Sequence, residues 1–165
     1  MERTRLECED IIRATLASDR FKSVVSKLSG SNLEVCCRVC SRQGVEGHAR
    51  AYLEINPPKV VLCSNKIQPK DVEELLAHEL THAHDYIFGK CDLETCKGLA
   101  YSEVRAAREG ECNGFFLHDY FRKQCIRNHA IRSTENLFPS GAERCVDDVF
   151  DVAMADLEPF RKSRS

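Results

Sequence analysis

The sequence contains no long apolar run, no large excess of either charge sign and no repeated or low-complexity segment. Its apolar runs are only a few residues long, whereas a membrane-spanning helix needs about 20 consecutive apolar residues. A net charge of −2 creates no overall field that would attract nucleic acid or anionic lipid. These absences indicate a soluble globular protein without a nucleic-acid partner. The length of 165 residues suggests a single domain, residues 1–165.

The chain also lacks the pattern of a secretory leader or of a matrix-targeting presequence, since "MERTRLECEDIIRATL" mixes both charge signs. It nevertheless has ten cysteines, a high and even number that favours an oxidising compartment or several metal ligands. An oxidising compartment that is entered without a secretory signal would reconcile the two observations. Most of the cysteines are scattered singly, which favours disulfides over a second metal centre and leaves their pairing open.

The order of the predicted elements is typical of an α+β fold, with strands early in the chain and helices late. Two strands on either side of Asn56-Pro57-Pro58 predict a hairpin and therefore a small antiparallel sheet. The predicted strands cover residues 33–39, 49–55 and 59–63, and the predicted helices cover residues 10–28, 69–89, 98–110 and 140–155, with a continuation of the third helix through 115–125.

The segment "LLAHELTHAHDYIFG", Leu75 to Gly89, holds three of the six histidines on one predicted helix. At about 100° per residue, His78 and His82 share a face of this helix. The opposite face carries the apolar residues Leu76, Leu80, Ala83 and Ile87. His-Glu-x-x-His places two imidazoles on successive turns, where they can bind one zinc ion. Glu79 is then placed to take a proton from a water molecule beside the ion and to return it to a leaving amine.

A peptidase-type zinc site needs a third protein ligand and one position open to water. Glu103 is the candidate, because small apolar residues surround it on its helix and its charge would need a cation there. An ion pair with a Lys or Arg is the alternative. Asp85 lies seven residues beyond His78, too far along the helix, and is expected to orient His82 instead. His84 lies off the metal face and is interpreted as a boundary or surface histidine. The face opposite Glu103 carries Arg105, Arg108 and Glu109.

Taken together, these residues predict a zinc metalloendopeptidase with a zincin-like α+β fold. Its parts are a small antiparallel sheet, an active-site helix with His-Glu-x-x-His, a following helix with Glu103 and a carboxyl-terminal helix. The strand "KVVLC", residues 59–63, is predicted to be the sheet edge along which a substrate lies extended. No pattern identifies a donor that would stabilise the transition state. Tyr101, His118 and His129 are the candidates.

Two other classes of function stay open at this point. One is an assembly or chaperone factor whose binding surface matters more than its metal. The other is a disulfide-rich interaction domain without catalysis, which would bind no stoichiometric zinc.

Several motifs together resemble a known family: "VVLCSN", "HELTHAHD" and "GLAYSEVRAAREGEC", with "CRVC" upstream and "VDDVFDVAMADLEPF" downstream. From about Cys36 to Phe160, the sequence resembles the mitochondrial inner-membrane zinc metallopeptidase that processes a subunit of the F1Fo ATP synthase. In animals the same family is also described as a Ku-binding protein. "SEVRAA" after His-Glu-x-x-His-x-x-Asp is far more specific than the metal motif alone.

The resemblance implies that His78 and His82 bind zinc and that Glu79 is catalytic. It implies a protein of the mitochondrial intermembrane space, peripheral to the inner membrane, which removes the presequence of an ATP synthase membrane subunit and assists assembly of the synthase. That space oxidises thiols and can be entered without a cleaved presequence. The chain departs from the family at His84, where an aromatic residue is usual, and at Ile87, where a cysteine is usual. Disulfide pairings are therefore not transferred, and the role of Glu103 depends on the helix argument.

Overall fold

The computed structural model describes residues 5–114 and 118–161. The chain begins with two helices, α1 (Arg5–Leu16) and α2 (Lys22–Leu28), where the periodicity predicts one. The break is a turn in which the N–H of Phe21 donates to the carbonyl of Ser18. Serine and aspartate favour such turns over helix interiors, and Ser18-Asp19 lies at this point. Phe21 is fully buried, so the turn still contributes to the core.

The three strands are β1 (Glu34–Arg38), β2 (Ala51–Ile55) and β3 (Pro58–Cys63), in the spatial order β1-β3-β2. The predicted hairpin of β2 and β3 is confirmed, but β1 pairs with β3 in parallel, so the sheet is mixed and the prediction of an antiparallel sheet is wrong. The reason is the connection of residues 39–50, which includes the one-turn helix α3 (Val45–His48) and passes from β1 to the far side of β3.

This topology also makes the edge prediction for "KVVLC" wrong, because β3 is the central strand and has a neighbour on each side. A strand that is covered on both faces reads as a continuous apolar run rather than as an alternating one. Residues Val60 to Cys63 fit that description, since all four are fully buried.

A short 3-10 helix (Pro69–Asp71) leads into α4 (Val72–Ile87), and three more helices follow: α5 (Cys96–Glu109), α6 (Asp119–Glu135) and α7 (Ala142–Ala155). Residues 115–117 of the predicted continuation lie outside the described residues, and the rest of it falls at the start of α6. Among the helices in residues 5–114 and 118–161, none has the length and apolar character needed to cross a bilayer. The α+β class is confirmed.

The buried apolar residues form two main clusters, and α4 packs against α5 between them. The sheet cluster combines α1, α2, the sheet and the apolar face of α4, and it includes Val24, Val60, Leu62, Leu76, Leu80 and Ala83. The helical cluster combines α5, α6 and α7, and it includes Ala100, Val104, Ile126 and Val146. The predicted apolar face of α4 is therefore confirmed, and the face with His78 and His82 is left for α5.

Four disulfides confirm the expectation that most cysteines are oxidised. They join Cys8 to Cys37, Cys40 to Cys63, Cys96 to Cys145 and Cys112 to Cys125. Cys36 and Cys91 are free thiols. The first two bridges join parts of the amino-terminal half, and the last two join α5 and the turn after it to α7 and α6. The last two bridges therefore link α6 and α7 to α5 and its following turn, and α5 packs against α4.

Candidate metal centre and active site

The beginnings of α4 and α5 are determined by local sequence signals. Before α4, the side chains of Gln68 and Asp71 cap the short 3-10 helix, and Pro69 occupies its first turn. At the start of α5, the hydroxyl of Thr95 accepts a hydrogen bond from the N–H of Gly98 at 3.1 Å. A Cβ at position 98 would lie 1.9 Å from the carbonyl oxygen of Asp92, so only glycine fits there. These caps fix the residue at which each helix begins, and thereby which residues of α4 and α5 face one another.

Three side chains from α4 and α5 bring their donor atoms together: His78, His82 and Glu103. The two Nε2 atoms are 3.0 Å apart. The Oε1 atom of Glu103 lies 3.5 Å from Nε2 of His82, and its Oε2 atom lies 3.6 Å from Nε2 of His78. Nitrogen and oxygen ligands about 2.0–2.1 Å from a zinc ion in tetrahedral geometry lie about 3.3 Å from each other. The three measured separations are close to that value.

The surroundings of these atoms fit a cation as well. Oε2 of Glu103 is buried and has no hydrogen-bond partner in the protein, although a buried carboxylate oxygen normally has one. An ion pair with Lys or Arg was the alternative for Glu103, and among the described residues its recorded charge partners are the two histidines. Imidazole and carboxylate groups are the donor set of peptidase-type zinc sites. These residues therefore fit a zinc ion.

Each histidine has a second partner at its other ring nitrogen. Nδ1 of His78 lies 3.0 Å from Oε2 of Glu111, a residue in the turn after α5. Nδ1 of His82 lies 2.7 Å from Oγ of Ser102, whose hydroxyl donates to Asp85 at 2.8 Å. Asp85 thus reaches His82 only through Ser102, and it is fully buried and absent from the donor cluster.

Glu111 and Ser102 are residues that the sequence analysis did not find. Ser102 directly precedes Glu103 on α5, about 100° around the helix from it, so the helical projection that selected Glu103 did not include it. Glu111 follows Gly110 in a turn, and nothing in the local sequence indicates where that turn would place a carboxylate.

Burial and neighbouring charges raise the pKa of some ionisable groups at this site and lower the pKa of others. Burial alone would lower the pKa of His78, but the hydrogen bond and charge of Glu111 raise it to about 10. Burial also opposes ionisation of Glu111, yet the hydrogen bond from His78 lowers its pKa to about 2. For Glu103, burial is outweighed by the charge of His82, and the pKa is lowered. For Glu79, burial prevails and the pKa is raised. Glu79 is therefore the most basic carboxylate of the site.

A cavity of about 670 Å³ opens over the cluster, and the side chain of Glu79 lines it together with the three candidate ligands. One wall is β2, and the other walls are largely apolar. They contain Leu93, Leu99, Leu137 and Phe138. In the described part of the chain, no strand pairs with the far edge of β2. The sheet edge beside the site is thus β2 and not β3.

Several of the other predicted side chains lie elsewhere. His84 is off the metal cluster as expected, but it is buried against Asp85 and Phe88 rather than at the surface. None of the three candidate transition-state donors lines the cavity. The hydroxyl of Tyr101 instead donates to Asp156 at 2.6 Å.

The charged face of α5 is also not exposed: Arg105, Arg108 and Glu109 are all buried. The reason is that α5 contacts α4, α6 and α7, so that residues 102–109 of this helix are all buried. The charges are paired instead. Arg105 meets Asp85, while Arg108 meets Glu109 at 2.8 Å and the carbonyl of Ala153 at 3.0 Å.

Comparison with known proteins gives consistent matches. The peptidase M76 family matches residues 6–161. The zebrafish (Danio rerio) protein named mitochondrial inner membrane protease ATP23 homolog is 34% identical over 135 residues, which cover 73% of this chain and 52% of that protein. The human homolog of the same name is 32% identical over 133 residues, covering 73% and 54%. The Neosartorya fischeri protein named mitochondrial inner membrane protease atp23 is 28% identical over 172 aligned positions, covering 94% and 68%.

The chain spans about half the length of the two animal relatives and about two thirds of the fungal one. No solved structure gives a significant match. The names of these relatives describe them as mitochondrial inner membrane proteases. With almost every described residue inside the matched range, the chain belongs to the peptidase M76 family.

Proposed function

We propose that this chain is a zinc-dependent metalloendopeptidase with a zincin-like active site. His78, His82 and Glu103 would hold the ion, and Glu79 would act as general base and then as general acid. The observation that carries the proposal is the convergence of these four side chains in one cavity beside an unpaired strand edge.

A zinc ion in this site would supply Lewis acidity to the substrate carbonyl and would lower the pKa of a neighbouring water molecule. Glu79 would accept the proton of that water at a carboxylate oxygen and deliver it to the amide nitrogen that leaves as an amine. Burial raises the pKa of Glu79, which makes its carboxylate a stronger base than an exposed one. Apolar walls around the cavity would limit the access of bulk water.

The substrate would lie extended along β2. An added strand can hydrogen-bond to the free N–H and C=O groups of an unpaired edge, as in other peptide-binding sheets. Residues Ala51, Leu53 and Ile55 of β2 line the same cavity as Glu79, so a peptide paired with this strand would pass over the site.

The family resemblance and the relatives' names suggest the setting of this activity. We propose that the protein works in the mitochondrial intermembrane space, peripheral to the inner membrane. Its substrate there would be the precursor of an ATP synthase membrane subunit, whose presequence it would remove. Oxidised cysteines are compatible with that compartment, since four disulfides would be reduced in a cytosolic environment.

Glu79→Gln tests the proposal. The purified chain should contain one zinc ion per molecule and should cleave a synthetic precursor of the ATP synthase subunit. Glu79→Gln should keep the zinc and lose cleavage by about 10²–10⁴-fold, because only the proton-transfer group changes. Glu73→Gln, on the exposed first turn of the same helix, is the matched control and should behave as wild type. Zinc-free protein from a native preparation, or full cleavage by Glu79→Gln, would overturn the proposal.

From the family resemblance we also propose that the chain assists assembly of the synthase, and the same variant separates this role from catalysis. If a strain that carries Glu79→Gln still assembles the membrane sector, the assembly role is independent of cleavage. Loss of assembly together with cleavage would remove the case for a separate chaperone-like function.

A further inference from the structure

Glu111 contacts the candidate metal site from outside the set of ligands. Its Oε2 atom lies 3.0 Å from Nδ1 of His78, which is the ring nitrogen that faces away from His82 and Glu103. The side chain of Glu111 is about one-fifth exposed and that of His78 is less exposed still. The carboxylate therefore contacts a ring nitrogen of a largely buried side chain.

The turn that carries Glu111 is anchored on both sides. A Cβ at position 110 would lie 3.2 Å from Cβ of His78 and 3.1 Å from the carbonyl oxygen of Glu74, so glycine allows the turn to approach α4 closely. On the other side, Cys112 is fully buried and forms a disulfide with Cys125 of α6. The position of Glu111 relative to His78 is thus set by tertiary structure and not by a flexible loop.

The neighbouring histidine, His82, shows how a hydrogen-bond partner at Nδ1 determines which ring nitrogen carries the proton. Asp85 pairs with Arg105 and can only accept hydrogen bonds, so the single hydroxyl proton of Ser102 goes to Asp85. The Ser102 oxygen must then accept from Nδ1 of His82. This places the ring proton of His82 on Nδ1 and leaves the Nε2 lone pair directed at the donor cluster.

We propose that Glu111 is a positioning residue that does the same for His78: it accepts the Nδ1 proton, fixes the ring orientation and directs Nε2 to the metal. This rests on the proposed zinc site. A ligand histidine that donates its second N–H to a carboxylate has a fixed tautomer and a more basic ligating nitrogen. Removal of such a partner typically costs 10–100-fold in metal affinity.

Zinc affinity measured by chelator competition on the intact oxidised chain tests this role. Glu111→Ala should bind zinc about 10–100-fold more weakly than wild type, and Glu111→Gln, whose amide oxygen still accepts, should recover part of the loss. Glu135→Ala removes one negative charge from an exposed position of α6 and should leave the affinity unchanged. Circular dichroism of each variant shows whether the fold is retained, and Glu111→Gln carries the test if Glu111→Ala does not fold.

A spectroscopic readout distinguishes orientation from general destabilisation. In the zinc-loaded, ¹⁵N-labelled protein, Nδ1 of His78 should give the signal of a protonated nitrogen protected from exchange with water. In Glu111→Ala this proton should exchange faster, while the corresponding proton of His82 stays as in wild type. Wild-type affinity together with an unchanged His78 signal in Glu111→Ala would overturn the proposal and leave the zinc site intact. Absence of zinc binding by the wild type would instead refute the proposed function.

Discussion

Arg105 and Asp85 form a fully buried charge pair next to the candidate site. The guanidinium of Arg105 meets Asp85 of α4 and, at 3.5 Å, Asp156 beyond α7. Each of the two charges loses its hydration on folding, and only the attraction of the opposite charge offsets that cost. Through Asp85 and Ser102 the same pair supports the ring of His82.

Arg105→Met should therefore destabilise the fold strongly. The substitution retains much of the side-chain volume but leaves the carboxylate of Asp85 buried without its cation, which typically costs about 3–5 kcal/mol. Arg127→Met is the matched control: Arg127 pairs with Glu143 and Asp147 on the exposed sides of α6 and α7 and should contribute about 1 kcal/mol or less. Urea unfolding of the two variants with intact disulfides measures the difference. Equal losses in the two variants would contradict this role of Arg105.

At the residue scale, helical periodicity predicted which side chains of each helix share a face, and the roles of His78, Glu79, His82 and Glu103 stay predictions. The four predicted site residues meet in one cavity because their directions follow from helical periodicity. Sequence analysis failed where a side chain's surroundings come from other elements. The burial of Arg105 depends on how α5 is surrounded, and His84 of α4 is buried against Asp85 and Phe88. The position of Glu111 depends on a turn whose path Gly110 and the disulfide of Cys112 determine.

At the element scale, β2 pairs with β3 along one edge, and no strand within residues 5–114 and 118–161 pairs with its other edge. The N–H of Cys63 donates to the carbonyl of Arg50 at 2.9 Å, which makes these two residues a hydrogen-bonded pair. Such pairs alternate along antiparallel strands, so the backbone groups of Leu53 point away from β3. They are available to a substrate strand.

Leu53→Pro should weaken substrate binding without breaking the sheet. Proline removes the outward N–H and is tolerated where a strand's N–H faces away from its neighbour. Because one hydrogen bond contributes about 0.5–1.5 kcal/mol, kcat/KM should fall by up to about tenfold beyond the effect of Leu53→Ala, which controls for the lost side chain. Peptidase assays of both variants at equal zinc content provide the comparison. If the proline and alanine variants cleave equally well, the substrate does not pair with β2.

The elements themselves were largely predictable, and their arrangement was not. Helix and strand positions follow from local periodicity and from Gly and Pro signals, and the three strands, α4, α5 and α7 were predicted to within a few residues. The break between α1 and α2, the short helix α3 and the extension of α6 to Glu135 were not predicted. Strand order depends instead on which distant segments pair. Both the parallel pairing of β1 with β3 and the edge position of β2 come from the path of residues 39–50, for which the sequence carries no pairing signal.

At the scale of the whole molecule, the candidate ligands bridge two hydrophobic clusters. His78 and His82 lie on α4, whose apolar face belongs to the sheet cluster, and Glu103 lies on α5, which belongs to the helical cluster. A ligand that binds only the folded state stabilises it by mass action. A zinc ion at this position should therefore stabilise both clusters at once.

Removal of zinc should lower the free energy of unfolding of the entire chain. At a free zinc concentration of 1,000 times Kd, the expected difference is about 4 kcal/mol. Hydrogen exchange measured along a denaturant series should show the amides of both clusters losing protection together, as one domain would. The free energy of unfolding of His78→Ala should not depend on the zinc concentration. Separate transitions for the two clusters would mean that the chain contains more than one cooperative unit.

The placement of the site at the junction of α4 and α5 has a consequence for heat inactivation. Any fluctuation that separates these two helices would move Glu103 away from the imidazoles. The site would then lose its geometry before either hydrophobic cluster unfolds. Operating temperature would then be limited by the tightness of a single helix–helix contact.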